Sequence, residues 1–309
     1  MSSSTMPRPA QLKLHWQTLL RQLKVLWVSS LAILVISWPT LAIAAESSPT
    51  ITKSNAAATA TPEAAAKPQA SVVSYFEQLS QMREAAFSAT NSGDFATAEQ
   101  VWSSLIEQLP ENPALWSNRG NSRVSQGKYE AALTDFQKAT ELAPEAPDPY
   151  LNRGAAYEGL GQFEAAIAEY NHVLDIDSKD AAAYNNRGNA EAAIGQWDNA
   201  LQDYRKASLL EREFVIARAN VAMAEFELGN PDEALRDLRN VVRKYPTFAD
   251  ARAALTATLW SQGKAGEAES NWVSVIELDK HYKNLDWVKA NRRWSPSMLK
   301  ALESFLKLS

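Results

Sequence analysis

Apolar and polar positions through residues 79–282 follow a rhythm that fits paired amphipathic helices, and the rhythm returns every 34 residues. Glycines stand at Gly93, Gly127, Gly161, Gly195, Gly229 and Gly263. Five residues after each stands an alanine: Ala98, Ala132, Ala166, Ala200, Ala234 and Ala268. Two columns that hold one phase through six cycles define a tandem array of short units, none of which can bury its apolar face alone. With the glycine as position 15, the units are 79–112, 113–146, 147–180, 181–214, 215–248 and 249–282.

Each unit predicts a hairpin of two helices. Position 15 ends the first, where glycine adopts a left-handed cap without steric cost. Position 8 is small (Ala86, Gly120, Gly154, Gly188, Ala222, then Thr256) and position 20 is always alanine, so the two backbones are expected to approach closely there. Position 24 is large throughout: Trp102, Phe136, Tyr170, Tyr204, Leu238 and Trp272. Aromatics at position 17 (Phe95, Tyr129, Phe163, Trp197) and position 4 (Trp116, Tyr150, Tyr184) are predicted to pack between hairpins. Pro110, Pro144 and Pro246 stop the second helix. In the fifth unit, Asn230-Pro231-Asp232-Glu233 predicts a helix start, with Asn230 as cap and acids at the positive end.

This pattern resembles the tetratricopeptide repeat family. The second unit carries the match: Trp116, Gly120, Gly127, Tyr129, Ala132, Phe136, Ala139 and Pro144. The resemblance covers all six units and implies an all-α, right-handed superhelical solenoid of helix hairpins with a C-terminal capping helix. It also implies that the first helix of each hairpin lines a concave groove, with positions 2, 5, 6, 9, 12 and 13 facing in. It says little of function, because the fold hosts many partners.

At groove position 6 four asparagines recur, Asn118, Asn152, Asn186 and Asn220, with Asn121 and Asn189 at position 9, one turn on. An amide side chain offers both donors and an acceptor, matching the N–H and C=O of an extended peptide. By repeat position the column is similar to the asparagine ladder in the superhelix of O-GlcNAc transferase. Position 7 carries Arg119, Arg153 and Arg187, where the family has leucine. Three stacked cations suggest an acidic peptide or a C-terminal carboxylate. The alternative is that their stems pack while their heads pair with neighbouring acids. The carboxylate clamp of chaperone-binding members is broken here, since the third unit has Asp148 and Asn152 where a lysine and an arginine are required.

Residues 283–309 predict the cap. Ser295-Pro296 opens a helix with Met298, Leu299, Leu302, Phe305 and Leu306 on one face. The preceding Trp287 and Arg292-Arg293-Trp294 are expected to join that helix to the sixth unit. A tail rich in tryptophan and arginine is similar to those of tetratricopeptide repeat proteins from cyanobacteria and chloroplasts.

The chain's other end predicts delivery. Residues 1–45 hold a basic stretch, an uncharged apolar run from Val25 to Ala45, and small residues at Ala42-Ile43-Ala44. They fit either a cleaved secretory signal or a membrane anchor, and both place the repeats across a membrane. Residues 46–70, rich in Ala, Thr, Ser and Pro, are expected to be a disordered linker. The first 44 residues contain four basic side chains and no acid, so the rest of the chain has 27 basic and 36 acidic residues. Such an acidic body argues against nucleic acid as a partner. Absence of cysteine excludes disulfides and thiolate chemistry. His172 and His281 have no metal-ligand spacing, and no nucleophile elbow, P-loop or dinucleotide fingerprint occurs, so no enzyme, cofactor or metal is expected. The reading is an exported adaptor of the periplasm or thylakoid lumen that holds a partner's extended segment and aids assembly of a membrane complex. The alternative is an anchored scaffold acting through its convex face or by self-association.

Overall fold

The computed structural model describes residues 66–307; the signal or anchor expected over 1–45 and the linker over 46–65 lie outside the described residues. Within 66–307 fourteen α-helices follow one another, with no strand. Six hairpins come first, and their helices are α1 (Ala66–Asn91) with α2 (Phe95–Gln108), α3 (Pro113–Val124) with α4 (Tyr129–Leu142), and α5 (Pro147–Gly159) with α6 (Phe163–Ile176). Then come α7 (Ala181–Ala193) with α8 (Trp197–Leu210), α9 (Val215–Glu227) with α10 (Pro231–Lys244), and α11 (Ala249–Ser261) with α12 (Ala265–Leu278). A 3₁₀ turn (Lys280–Lys283), α13 (Leu285–Asn291) and α14 (Pro296–Leu306) finish the chain. The linker was expected to run to residue 70, but α1 begins at Ala66: the alanines and lysine there are good helix formers that extend the first helix.

The six recurring glycines are the positive-φ residues of the described chain, at φ 71–82°. Around Gly127 the Gly127 N–H donates to Val124 O and the Lys128 N–H to Arg123 O, both at 2.9 Å, which closes the first helix of the unit in a Schellman motif. Position 20 is fully buried in every unit. Position 8 meets the position-20 backbone at Gly188, where a Cβ would stand 3.2 Å from Ala200 O, but its main service is to the position-24 ring. A Cβ at Gly120 would stand 2.6 Å from the Phe136 ring, and one at Gly154 2.5 Å from Tyr170, so the glycine makes room for the position-24 ring. In the fifth unit Asn230 does not cap α10 through its side chain. Its amide instead donates to Glu225 Oε2 at 2.9 Å, while Pro231, Asp232 and Glu233 occupy the first turn as predicted.

First helices of successive units pack directly on one another (α3 on α5, α5 on α7, α9 on α11), with no comparably close pair among the second helices. The stack therefore curves with its first helices inside. α14 is the predicted capping helix: it packs on α11, the first helix of the sixth unit, and reaches along the inner face to α9 of the fifth. Met298, Leu302 and Phe305 are fully buried there, and Phe305 meets Trp260 and Trp272 edge-on at 5.4 and 5.2 Å. The physical reason is the chemistry of that face. Where the second and fourth units present Ser117, Asn118, Asn185 and Asn186, the fifth and sixth present Ala219, Met223, Ala253, Ala254 and Ala257, all buried. α14 covers apolar surface that water would otherwise meet.

Candidate functional site

The concave face thus divides in two: the fifth and sixth units are occupied by the chain's own C-terminal helix, and the open part is built by α1, α3, α5 and α7.

The asparagines behave as two groups. Asn118, Asn121 and Asn152 are partly exposed on α3 and α5, and among the described residues the side chains of Asn118 and Asn121 have no hydrogen-bond partner. Asn152 Nδ2 lies 3.5 Å from Ser117 Oγ of the preceding unit. Asn220 repeats this brace 3.0 Å from Asn185 Oδ1, and it also lies 3.4 Å from Asn189 Oδ1. Asn186 and Asn189 are buried, and Asn189 Oδ1 accepts from the Tyr204 hydroxyl at 3.0 Å. Column position is therefore no guide to availability. In the fourth and fifth units the amides stitch first helices together, and those in the second and third face the open groove.

The arginines expected to read an acidic ligand are engaged elsewhere. Arg119 is bidentate to the fully buried Asp135, at 3.0 Å from Nε and 2.7 Å from Nη2, and its Nη1 lies 3.1 Å from Ser103 Oγ of the preceding unit. Arg187 repeats this with Asp203 and Asn171, and Arg153 with Glu169, Gln137 and Thr140. Each also lies over its position-4 ring, Trp116, Tyr150 or Tyr184, at 4.9–5.4 Å. Position 7 thus pins the first helix to the second helices of its own unit and the one before. Carboxylates at position 23 take up this charge, so the peptide-binding role is corrected to a structural one. A similar knot joins the first two units: Lys128, Arg123 and Gln126 all donate to Glu99. Burial alone would raise that carboxyl, but these donors hold it at about 2.

Tyr170 and Tyr204 lie in the gaps left by Gly154 and Gly188, and so deliver their hydroxyls to the inner face. There Tyr170 donates to Glu158 Oε1 at 2.5 Å. Burial and the Glu158 charge push the Tyr170 phenol well above its ordinary range, and burial does the same for Tyr204. Glu191 lies nearby on α7. Its carboxyl is raised to about 7, by burial first and then by Asp203, against the pull of Arg187.

The tail contributes the feature that sequence reasoning missed. Arg292 does what was expected. It stacks over Trp287 at 4.7 Å, donates from Nε to the Tyr282 hydroxyl at 2.9 Å and faces Asp250 at 3.5 Å. Tyr282 and Trp294 both donate to Asp250 Oδ1, at 2.5 and 2.9 Å. Arg293 was expected to join this knot on the sixth unit, but the backbone at Arg292 is extended and successive side chains point to opposite sides. Arg293 therefore leaves the sixth unit and pairs with Glu158 of the third, 135 residues away. No local pattern carries a contact of that separation.

Among the described residues no group of three or more His, Asp or Glu is placed to hold a metal, and no helix is long and apolar enough to cross a membrane. His172 lies against the Tyr150 ring at 4.1 Å, and His281 stacks on Trp287 at 4.8 Å.

Comparison with known proteins agrees with this architecture. A family model described as TPR repeat matches residues 120–161 and 159–195, and one described as tetratricopeptide repeat matches 222–279. No curated protein matches the sequence. Among solved structures, a tetratricopeptide repeat protein from Parabacteroides merdae is 22% identical with a TM-score of 0.56, over 75% of this chain and 86% of its own. A chain of the Cut9–Hcn1 hetero-tetramer of APC/C is 16% identical with a TM-score of 0.58, over 72% of this chain and 41% of its own. A thermophilic tetratricopeptide repeat protein from Thermus thermophilus is 19% identical with a TM-score of 0.50, over 59% of this chain and 98% of its own. At these identities the likeness is one of fold.

Proposed function

We propose, from the premise that this chain is a tetratricopeptide repeat protein, that it acts as an adaptor holding an extended segment of a partner protein in the open part of its concave groove. The family's fold is typical of protein–protein interaction. The observation that carries the finer reading is the pair of Asn118 and Asn121, half-exposed on one face of α3 with side-chain amides that bond no other described residue. Asn152 on the next inner helix offers an acceptor beside them. Such amides hold a peptide main chain without reading its side chains. Contacts of this kind suit a partner recognised by its extended shape.

The apolar run and small-residue site at the N-terminus support delivery across a membrane, to the periplasm or thylakoid lumen, by cleavage or by anchoring. Assembly or maintenance of a membrane protein complex is the work we assign to the adaptor there. A second reading, a scaffold acting through the convex face, is favoured by the exposure of Leu209 and Val273 on the second helices α8 and α12.

The test captures partners from solubilised membranes on residues 71–309, beside a variant with Asn118, Asn121 and Asn152 all changed to alanine and circular dichroism unaltered. Loss of a captured protein by the variant supports the groove. Equal capture by both moves the interaction to the convex face.

A further inference from the structure

Arg293 stands in the concave groove with 58% of its side chain open to solvent, while the Glu158 side chain that it meets is only 4% exposed. Its neighbours Arg292 and Trp294 are tied to Asp250, so the backbone there is an anchored arm from which one guanidinium projects. The receiving surface is built for a cation. Glu158 is held from behind by Tyr170, and Arg293, Glu158 and Glu191 are all close enough to act electrostatically on the Tyr204 hydroxyl. On the neighbouring inner helix one acceptor, Glu191 Oε2, has no partner among the described residues, in a residue only 8% exposed. The intramolecular ion pair satisfies Glu158 and leaves Glu191 with acceptor capacity to spare. Buried acceptors without donors are rare because each costs the desolvation of the group.

We propose that this end of the groove is a guanidinium-binding subsite: it takes an arginine side chain of the extended segment, and Arg293 fills it in cis until that segment arrives. The proposal rests on the groove reading above and adds the chemistry of the partner, which is basic at this point rather than acidic. Rotation of the Arg293 side chain about its own bonds vacates the site, so α14 and its packing remain in place. Because Arg293 is tethered, it competes at a high effective concentration, and the subsite rejects weak or accidental cations.

The test uses the full chain and a fluorescein-labelled alanine–serine peptide carrying one arginine, beside the same peptide with citrulline, which keeps the shape and removes the charge. Anisotropy is expected to show R293A binding the arginine peptide on the order of tenfold more tightly than the native protein does. Citrulline is expected to weaken binding to R293A by a similar factor, the contribution of one charge-assisted hydrogen bond. Adding E158Q to R293A should abolish the preference for arginine. R293K, which keeps the cation in cis, should behave as the native protein. If E158Q disturbs folding, E158D replaces it, because the shorter side chain keeps the charge and draws the carboxylate away from the guanidinium. Equal affinity of R293A for the two peptides overturns the subsite and leaves the groove reading intact. Binding of neither peptide to either form overturns both.

Discussion

The Tyr170 hydroxyl donates to Glu158 Oε1 at 2.5 Å, across the inner helix and through the space where Gly154 has no side chain. One bond thereby connects the second helix of the third unit to the floor of the groove. Gly154→Ala is expected to lose more than it gains. A Cβ 2.5 Å from the ring forces Tyr170 out of place, a cost of about 1–3 kcal/mol that exceeds the ~1 kcal/mol of helix propensity that alanine adds. Tyr170→Phe keeps the packing and should cost only about 1 kcal/mol. Urea unfolding of the two variants checks the order.

Arg119→Ala leaves Asp135 buried with Arg123 as its remaining cation. Breaking a buried pair from one side is expected to cost about 3 kcal/mol. Arg119→Lys should recover little of that, because a lysine cannot span Asp135 and Ser103 with a planar fork. Thermal unfolding gives both numbers. Peptide binding by a variant that remains folded should be unaffected, since the head faces the second helices.

Stability is expected to depend on pH through Glu191, which faces Asp203 and Tyr204 on α8 and Arg187 on its own helix. Its carboxyl is raised from 4.5 to about 7 on folding, so the folded state binds the extra proton. The stabilisation is present in full below pH 4.5 and is lost as pH rises through about 7. Glu191→Gln, which is neutral at every pH, should flatten this slope in denaturant titrations at pH 5 and pH 8. An unchanged slope would remove Glu191 from the account.

Phe305→Ala removes a fully buried ring wedged between Trp260 and Trp272 and is expected to cost about 3–5 kcal/mol. In a repeat array that loss stays local. Amide exchange should quicken in α9, α11 and α14 and leave α3 to α6 protected. Uniform acceleration through all six units would show that the array unfolds as one body.

The repeat was legible in the residues because its determinants are local. Gly127 must be glycine for the left-handed turn that follows α3, and Ala132 must be small where the hairpin closes. Hydrophobic spacing, turn chemistry and a fixed period all act within one unit or between neighbours, so the chain order alone carries them. Positions 6 and 7 were legible as columns, but not in what their side chains do. Asn118 and Asn186 occupy equivalent places, yet one is half-exposed and the other buried. Arg119 finds its acid on the next helix of its own unit.

What only the tertiary structure decided is the fate of the groove. The sequence announces an amphipathic last helix but not which surface it covers. That choice depends on the apolar inner face that α9 and α11 form only once stacked, and on the curvature that brings Arg293 to Glu158 across 135 residues. The charge of the binding surface follows from those two distant placements. Short-range patterning determines the array, and long-range packing determines what the array can hold.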